Sequence, residues 1–215
     1  MAPWLDLVAI NTAKLAKVLI RLLRLGEGTA LPGRVALAIS PKLLHYFSRE
    51  LSLSRKAHMQ GLGARRACPK FVQTNEDEYN AADESFQAGS MVTGTNGKTT
   101  TSGILKEIYK AATKQDPISN EMGANLYYGI VAELINSSNL GGKLKSNNYV
   151  LEVDEAAFPE ISKELVPSSI LVTNLFRDQL DRFGEIDTTQ KLIVKGIKHC
   201  VGSTIVLNAD DTKVF

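Results

Sequence analysis

The run Met91-Val92-Thr93-Gly94-Thr95-Asn96-Gly97-Lys98-Thr99-Thr100-Thr101 joins a glycine-rich turn to a lysine and several threonines at the start of a helical pattern reaching Ala112. Those residue types suit a polyphosphate. Gly94 and Gly97 let backbone N–H groups close on phosphate oxygens, Lys98 adds a point charge near the terminal phosphates, and the Thr99 hydroxyl can complete a magnesium shell. The general phosphate-loop spacing asks for glycine where this chain has Val92. Taken alone, Gly-Lys-Thr therefore also fits a Thr-rich turn that caps a helix.

Two later apolar runs end in polar clusters. Tyr149-Val150-Leu151-Glu152-Val153-Asp154 reads as a strand ending in acids, and Ile170-Leu171-Val172-Thr173-Asn174 as another, followed by Leu175-Phe176-Arg177-Asp178-Gln179-Leu180-Asp181-Arg182-Phe183-Gly184. Asp154 and Glu155 have two roles open to them, positioning a metal-bound water or capping the next helix. Asn125 either faces substrate or belongs to a helix-start turn, and Asn174 suits holding the turn after its strand. A third strand, 204–208, closes into Asn208-Ala209-Asp210-Asp211.

These elements must be positioned by a fold. Helical patterns to about 112, near 124–136 and near 188–199 alternate with strands at 91–92, 149–153, 169–173 and 204–208, which predicts an α/β fold with a mostly parallel sheet and helices on both faces. Right-handed crossovers then place the loop tips carrying Lys98, Glu152 and Gln179 along one edge of the sheet, at the carboxyl ends where open α/β sheets bind ligands. The segment 91–215 is the predicted domain carrying the phosphate loop.

Ahead of it lie a leader, 1–50, and a segment, 51–90, that reads as a flexible insertion. From Trp4 to Leu25 the leader predicts an amphipathic helix with Lys14, Lys17, Arg21 and Arg24 along one side. Four cations make a bilayer span costly, and no signal-peptide pattern is visible. The helix has three readings: packing its apolar stripe on the rest of the protein, lying on an anionic membrane surface as a peripheral contact, or organelle targeting. Leu31-Pro32-Gly33-Arg34-Val35-Ala36-Leu37-Ala38-Ile39 predicts a turn entering a short strand, and Ser40-Pro41 opens a helix to about Glu50. The 51–90 segment turns from basic to acidic without interleaved aromatic residues, so no nucleic-acid partner is predicted.

Composition sets the class. With 215 residues, 25 Lys+Arg against 23 Asp+Glu and 44% apolar residues, the chain fits an ordinary globular protein and excludes collagen, a disulfide scaffold and wholesale disorder. Cys68 and Cys200 lack metal or redox spacing and read as reduced thiols. His45, His58 and His199 are scattered and read as structural or surface residues.

Thr93-Gly94-Thr95-Asn96-Gly97-Lys98-Thr99 resembles the phosphate loop of the Mur ligase superfamily, which includes muramyl-peptide ligases and folylpolyglutamate synthases. The Tyr149–Asp154 and Ile170–Gly184 blocks strengthen the resemblance. It implies ATP and Mg2+, a nucleotide site formed by Gly94, Thr95, Asn96, Gly97, Lys98, Thr99 and Thr100, catalytic roles for Lys98 and Glu152, and magnesium held by Thr99 and Glu152. Most members have His where this chain has Gln179. With its neighbours, and with Leu31–Leu37, Asn120–Leu126, Leu151–Ala156 and Asn208–Asp211, that glutamine is similar to the lipid II isoglutaminyl synthase branch.

That branch implies phosphorylation of the D-glutamate α-carboxylate in lipid II and its amidation with ammonia from a GatD-type glutamine amidotransferase subunit. It also implies a cytoplasmic setting, or the plastid stroma in a photosynthetic eukaryote. Other readings are an amino-acid-adding or folylpolyglutamate-type ligase, and a non-catalytic ATP-binding fragment, since the family continues past the point where Phe215 ends this chain. The carbamylated lysine of many members has no matching spacing here, and Lys191 reads as a surface lysine.

Overall fold

A computed structural model describes residues 3–23, 30–61, 89–120, 123–176 and 185–214. Helices α1 (Pro3–Leu22), α2 (Leu31–Ile39) and α3 (Leu43–Gly61) precede strand β1 (Gly89–Thr93) and helix α4 (Lys98–Thr113). Then follow α5 (Tyr127–Asn136), β2 (Tyr149–Glu152), α6 (Phe158–Glu164), β3 (Ser169–Val172), α7 (Glu185–His199) and β4 (Thr204–Leu207). The four strands form one all-parallel sheet in the order β2-β1-β3-β4. The predicted α/β class holds.

Register assigns the two faces. Met91 lies beside Leu151 and Ile170, and this row joins the main core with Phe47, Ile130, Leu134, Phe158 and Ile161 from α3, α5 and α6. The alternate row, Ser90 with Val150 and Ser169, lies on the other side, where Tyr109 and Leu105 of α4 cover Val150. The buried Ser90 hydroxyl is partnered there by Tyr109 OH at 2.8 Å and Ser169 Oγ at 2.7 Å. Side chains alternate along a strand, so Glu152 shares the α4 side with Val150. That places its carboxylate under the first turn of α4.

The leader differs from its sequence reading at one element. Residues 31–39 form a helix, not a strand: a short, nearly continuous apolar run has no period that distinguishes the two. Pro32 lies in the first turn, and Pro32, Gly33 and Ala36 are buried together at helical spacing. Contact with α5 decides the matter, because a Cβ on Gly33 would lie 2.0 Å from the Tyr128 carbonyl oxygen. The Arg34 guanidinium stacks over the Tyr128 ring at 5.1 Å. The next helix, α3, begins after Pro41 as expected but runs on to Gly61, so the beginning of the 51–90 segment is helical. Residues 62–88 lie outside the described residues. The strand before the phosphate loop extends over Gly89–Thr93, longer than the Met91-Val92 pair read from sequence.

Gly33→Ala separates propensity from packing. Alanine would favour the helix by about 1 kcal/mol, whereas overfilling a tight contact costs about 1–3 kcal/mol. With a backbone carbonyl as the obstacle, the packing effect should win. Thermal denaturation of Gly33→Ala is expected to show a lower melting temperature, and an unchanged or higher one would contradict the α2–α5 contact.

Candidate nucleotide site

The phosphate loop connects β1 to α4. Gly94 has φ +119°, a conformation few side chains tolerate. A Cβ there would also lie 2.4 Å from Thr173 Oγ1 and 2.8 Å from the Asn174 carbonyl oxygen. The close approach lets the loop bond to the segment after β3. Thr95 N–H donates to the Asn174 carbonyl at 2.8 Å, Asn96 N–H to Asn174 Oδ1 at 2.9 Å, and Asn174 Nδ2 to the Asn96 carbonyl at 3.0 Å. Phe176 N–H donates to Thr95 Oγ1 at 3.1 Å. Asn174 thus holds the strand-end turn and the loop together.

At the start of α4, Gly97 is the N-cap, with φ +80° and no side-chain cap. Asn96, Gly97, Thr99 and Thr100 are exposed. A helix N-terminus has amide hydrogens without intrahelical partners and a partial positive charge, both suited to phosphate oxygens. The first bond of the helix is Thr101 N–H to the Gly97 carbonyl, 2.9 Å. The turn before it therefore fits an anionic ligand without competition from a capping side chain.

The predicted metal pair comes together. Thr99 Oγ1 donates to Glu152 Oε2 at 2.8 Å, and Asn125 Nδ2 lies 3.4 Å from Glu152 Oε1. A hydroxyl and a carboxylate beside a phosphate loop are hard oxygen donors, the kind magnesium takes alongside phosphates. The donor set fits that ion. Among the described residues no group of three or more His, Cys, Asp or Glu is placed to hold a metal ion.

Asn120 is the residue whose role sequence reading missed. Its Oδ1 accepts from Glu152 N–H at 2.9 Å, while its Nδ2 donates to the Glu152 carbonyl at 2.9 Å and the Ala124 carbonyl at 3.1 Å. Ile118 reaches this position by bridging to Tyr149 beside β2. The only available signal was the asparagine itself within the Asn120–Leu126 block, and a side chain that completes a sheet edge has no characteristic spacing.

Lys98 and the acids after Glu152 resolve differently from one another. Lys98 Nζ donates to the Gly94 and Thr95 carbonyls and to Glu155 Oε1, the last at 3.1 Å, with both side chains of the ion pair mostly buried. Asp154 Oδ1 accepts from Ala156 N–H at 2.9 Å, and the Asp154 carbonyl accepts from Ala157 and Phe158. Asp154 therefore takes the helix-entry role, and Glu155 neutralises the loop lysine. Asn125 turns to Glu152, and its carbonyl accepts from Asp154 N–H at 3.0 Å. Lys191 is exposed on α7, and Gln179 lies outside the described residues.

Asp211, in the turn after β4, accepts from Leu175 N–H at 2.7 Å and Lys213 N–H at 2.9 Å. The Leu175 amide, then the Lys213 amide, hold its carboxyl below the usual carboxylate range. A lowered pKa in the folded state contributes stability that is present above the ordinary carboxylate pKa and lost as pH falls through the folded value. Asp211→Asn should flatten the acid end of a stability-versus-pH profile, and an unaltered acid limb would exclude this contribution. Asn120→Ala strands the backbone of a buried glutamate, costing about 2 kcal/mol. At about 2–4 °C per kcal/mol for a chain of this size, melting should fall by about 4–8 °C. Asn120→Asp should be worse despite its shape, because it sets a second carboxylate near Glu152.

Comparison with known proteins agrees with this geometry. Residues 92–215 match the Mur ligase middle domain family. The chain is 33% identical over 191 residues to the MurT subunit of lipid II isoglutaminyl synthase (glutamine-hydrolyzing) from Streptococcus pneumoniae, covering 87% of this chain and 33% of that protein. It is 43% identical over 120 residues to the MurT subunit from Staphylococcus aureus strain COL, covering 56% of this chain and 26% of that protein. To the UDP-N-acetylmuramate–L-alanine ligase of Pelagibacter ubique it is 33% identical over 113 residues, 53% of this chain and 22% of that one. The chain thus spans about a third or less of the length of these relatives. With the middle-domain match extending over more than half of its residues, from β1 through the turn after β4, the chain belongs to the Mur ligase family.

Proposed function

We propose that this chain carries the nucleotide-handling part of an ATP-dependent carbon–nitrogen ligase of peptidoglycan synthesis. The observation that carries the reading is the Thr99–Glu152 hydrogen bond beside the uncapped start of α4. It joins a phosphate-binding turn to a carboxylate on the adjacent strand. ATP with magnesium would supply the phosphoryl group and neutralise the charge that builds as it is transferred. The amides of residues 97–100 would hold phosphate oxygens, Lys98 would add its charge to the terminal phosphates, and Thr99 and Glu152 would hold the ion.

The finer proposal is a reaction of lipid II isoglutaminyl synthase type. The α-carboxylate of D-glutamate in the lipid II stem peptide attacks the terminal phosphorus of ATP, and ADP leaves, giving an acyl phosphate. Ammonia from a GatD-type glutamine amidotransferase then attacks the carbonyl carbon, phosphate leaves, and D-isoglutamine remains. The similarity to two MurT subunits, whose names include glutamine hydrolysis, supports this reading, as does the glutamine at position 179. The reading carries a cytoplasmic setting, or the plastid stroma in a photosynthetic eukaryote.

The test is thermal denaturation with and without Mg-ATP. Ligand at a hundred times its dissociation constant stabilises a native state by about 2.7 kcal/mol, or about 5–10 °C for a chain of this length. Lys98→Ala should abolish the shift, and Glu152→Gln should remove its dependence on magnesium. No shift from the folded chain overturns the nucleotide reading. Phosphate release that requires lipid II, glutamine and a GatD-type subunit supports the finer one. Release driven instead by an amino-acid acceptor would favour an amino-acid-adding ligase, to which the resemblance of the alanine-adding relative points.

A further inference from the structure

Among the described residues, helix α1 has two apolar faces, of which one is packed against other helices. Ala9, Ile10, Ala13 and Ile20 are buried, where α1 meets α2, α3 and α5. Trp4, Val8, Leu15, Val18, Leu19 and Leu22 are exposed, with Trp4 at 61%, Leu15 at 60% and Leu22 at 74%. At the turn angle of an α-helix these six fall within about 100° of arc, on the side away from Ala13. That is too large and continuous a stripe to count as scattered surface residues.

Charge on α1 lies to one side of this stripe. Lys14 and Arg21 follow its border, and Arg21 is exposed, while Lys17 is set further round towards the packed side, near the Glu133 carboxylate of α5. Lys14 Nζ is engaged with the Ser138 carbonyl. The one acid of the helix, Asp6, accepts from Ser40 Oγ at 2.5 Å on the packed side. Among the described residues, the exposed border at Arg21 is therefore cationic, with Asp6 and Glu133 both on the packed side.

The charges distinguish a second copy of this helix from a lipid surface as the occupant of the stripe. Trp4, Val8, Asn11, Leu15, Val18 and Leu22 follow the alternating three- and four-residue spacing of a coiled-coil seam. A second copy of α1 packed antiparallel would set the cationic border against itself. Packed parallel, it would set Lys14 against Leu19 of the second copy, with no opposite charge. An anionic lipid surface matches both parts. Its acyl boundary takes the apolar stripe, its phosphates take the exposed cation, and a tryptophan at one end suits the interface. No helix among the described residues is long and apolar enough to cross a membrane, so the contact would be along the surface.

We propose that the outward face of α1 lies in the headgroup region of an anionic bilayer, with Arg21 at the lipid phosphates. This stands on α1 alone and does not rest on the ATP chemistry. Trp4 is the chain's sole tryptophan, so its emission reports the contact directly. The full chain would be titrated with vesicles of phosphatidylglycerol and phosphatidylcholine, and separately with phosphatidylcholine alone. Emission should move to shorter wavelength and the protein should co-sediment with the anionic vesicles only.

Arg21→Gln should weaken that binding about fivefold, the contribution of one cation at such a surface. Leu15→Glu, at an exposed position, should abolish it while leaving the melting temperature and any Mg-ATP shift intact. Trp4 emission unchanged by anionic vesicles overturns the proposal. So does a Leu15→Glu variant that binds as the parent does, which would assign binding to charge elsewhere. A dimer in light scattering that Leu15→Glu dissociates, without vesicle binding by the parent, would assign the stripe to a second copy.

Discussion

A phosphate loop must leave the amides at its helix end free for the ligand and still keep a fixed shape, and the Asn174 clasp, which takes the Thr95 and Asn96 amides and no others, meets both demands. Three hydrogen bonds tie Thr95 and Asn96 to Asn174, at 2.8–3.0 Å, while Gly97 leaves the end of α4 uncapped. The loop is thus braced from the β3 side, not by its own capping. The brace requires Gly94, since any Cβ would collide with Thr173 and Asn174. It also requires β3 to lie directly beside β1, which the order β2-β1-β3-β4 provides. A parallel sheet whose second and third strands flank the first brings three carboxyl ends to one place.

The electrostatics follow from that convergence. Lys98 is mostly buried, and an ammonium so placed needs compensation. Two loop carbonyls and Glu155 provide it. Glu152 is similarly buried, and its negative charge is met by the Thr99 hydroxyl and Asn125 amide, not by the lysine. The two acids, three residues apart, thus serve different partners. Glu155 balances the cation of the loop, and Glu152 stays with neutral donors, which leaves its charge available to a cation from solution.

The legible parts of the sequence were those in which one residue type has one use. A glycine turn leading to Lys98 and Thr99 located the strand–helix junction, and the buried runs at 149–153 and 169–173 gave β2 and β3 to within a residue. Glu152 was placed near Thr99 through the family resemblance, and strand alternation independently puts it on the α4 side. Residues 31–39 failed because Val, Ala, Leu and Ile fill a buried helix as well as a strand. The deciding contact, Gly33 against Tyr128, joins residues far apart in sequence. Asn120 was illegible for the same reason: it acts on the backbone of Glu152, 32 residues away, and no local pattern records that.

Among the described residues the strands are unequally covered, and this bears on how the site is held. β1 and β2 are buried throughout, β3 alternates, and all four residues of β4 are exposed. Burial of apolar side chains is the dominant favourable contribution to folding, so the loop after β1 and the carboxylate at the end of β2 rest on the most buried part of the sheet. β4 reaches the site through Asp211, whose carboxylate takes the Leu175 amide just beyond Asn174. The residue next to the clasp is thus fixed from the far edge of the sheet. A mobile β4 would therefore act on the Asn174 side of the loop before it affected the Thr99–Glu152 pair.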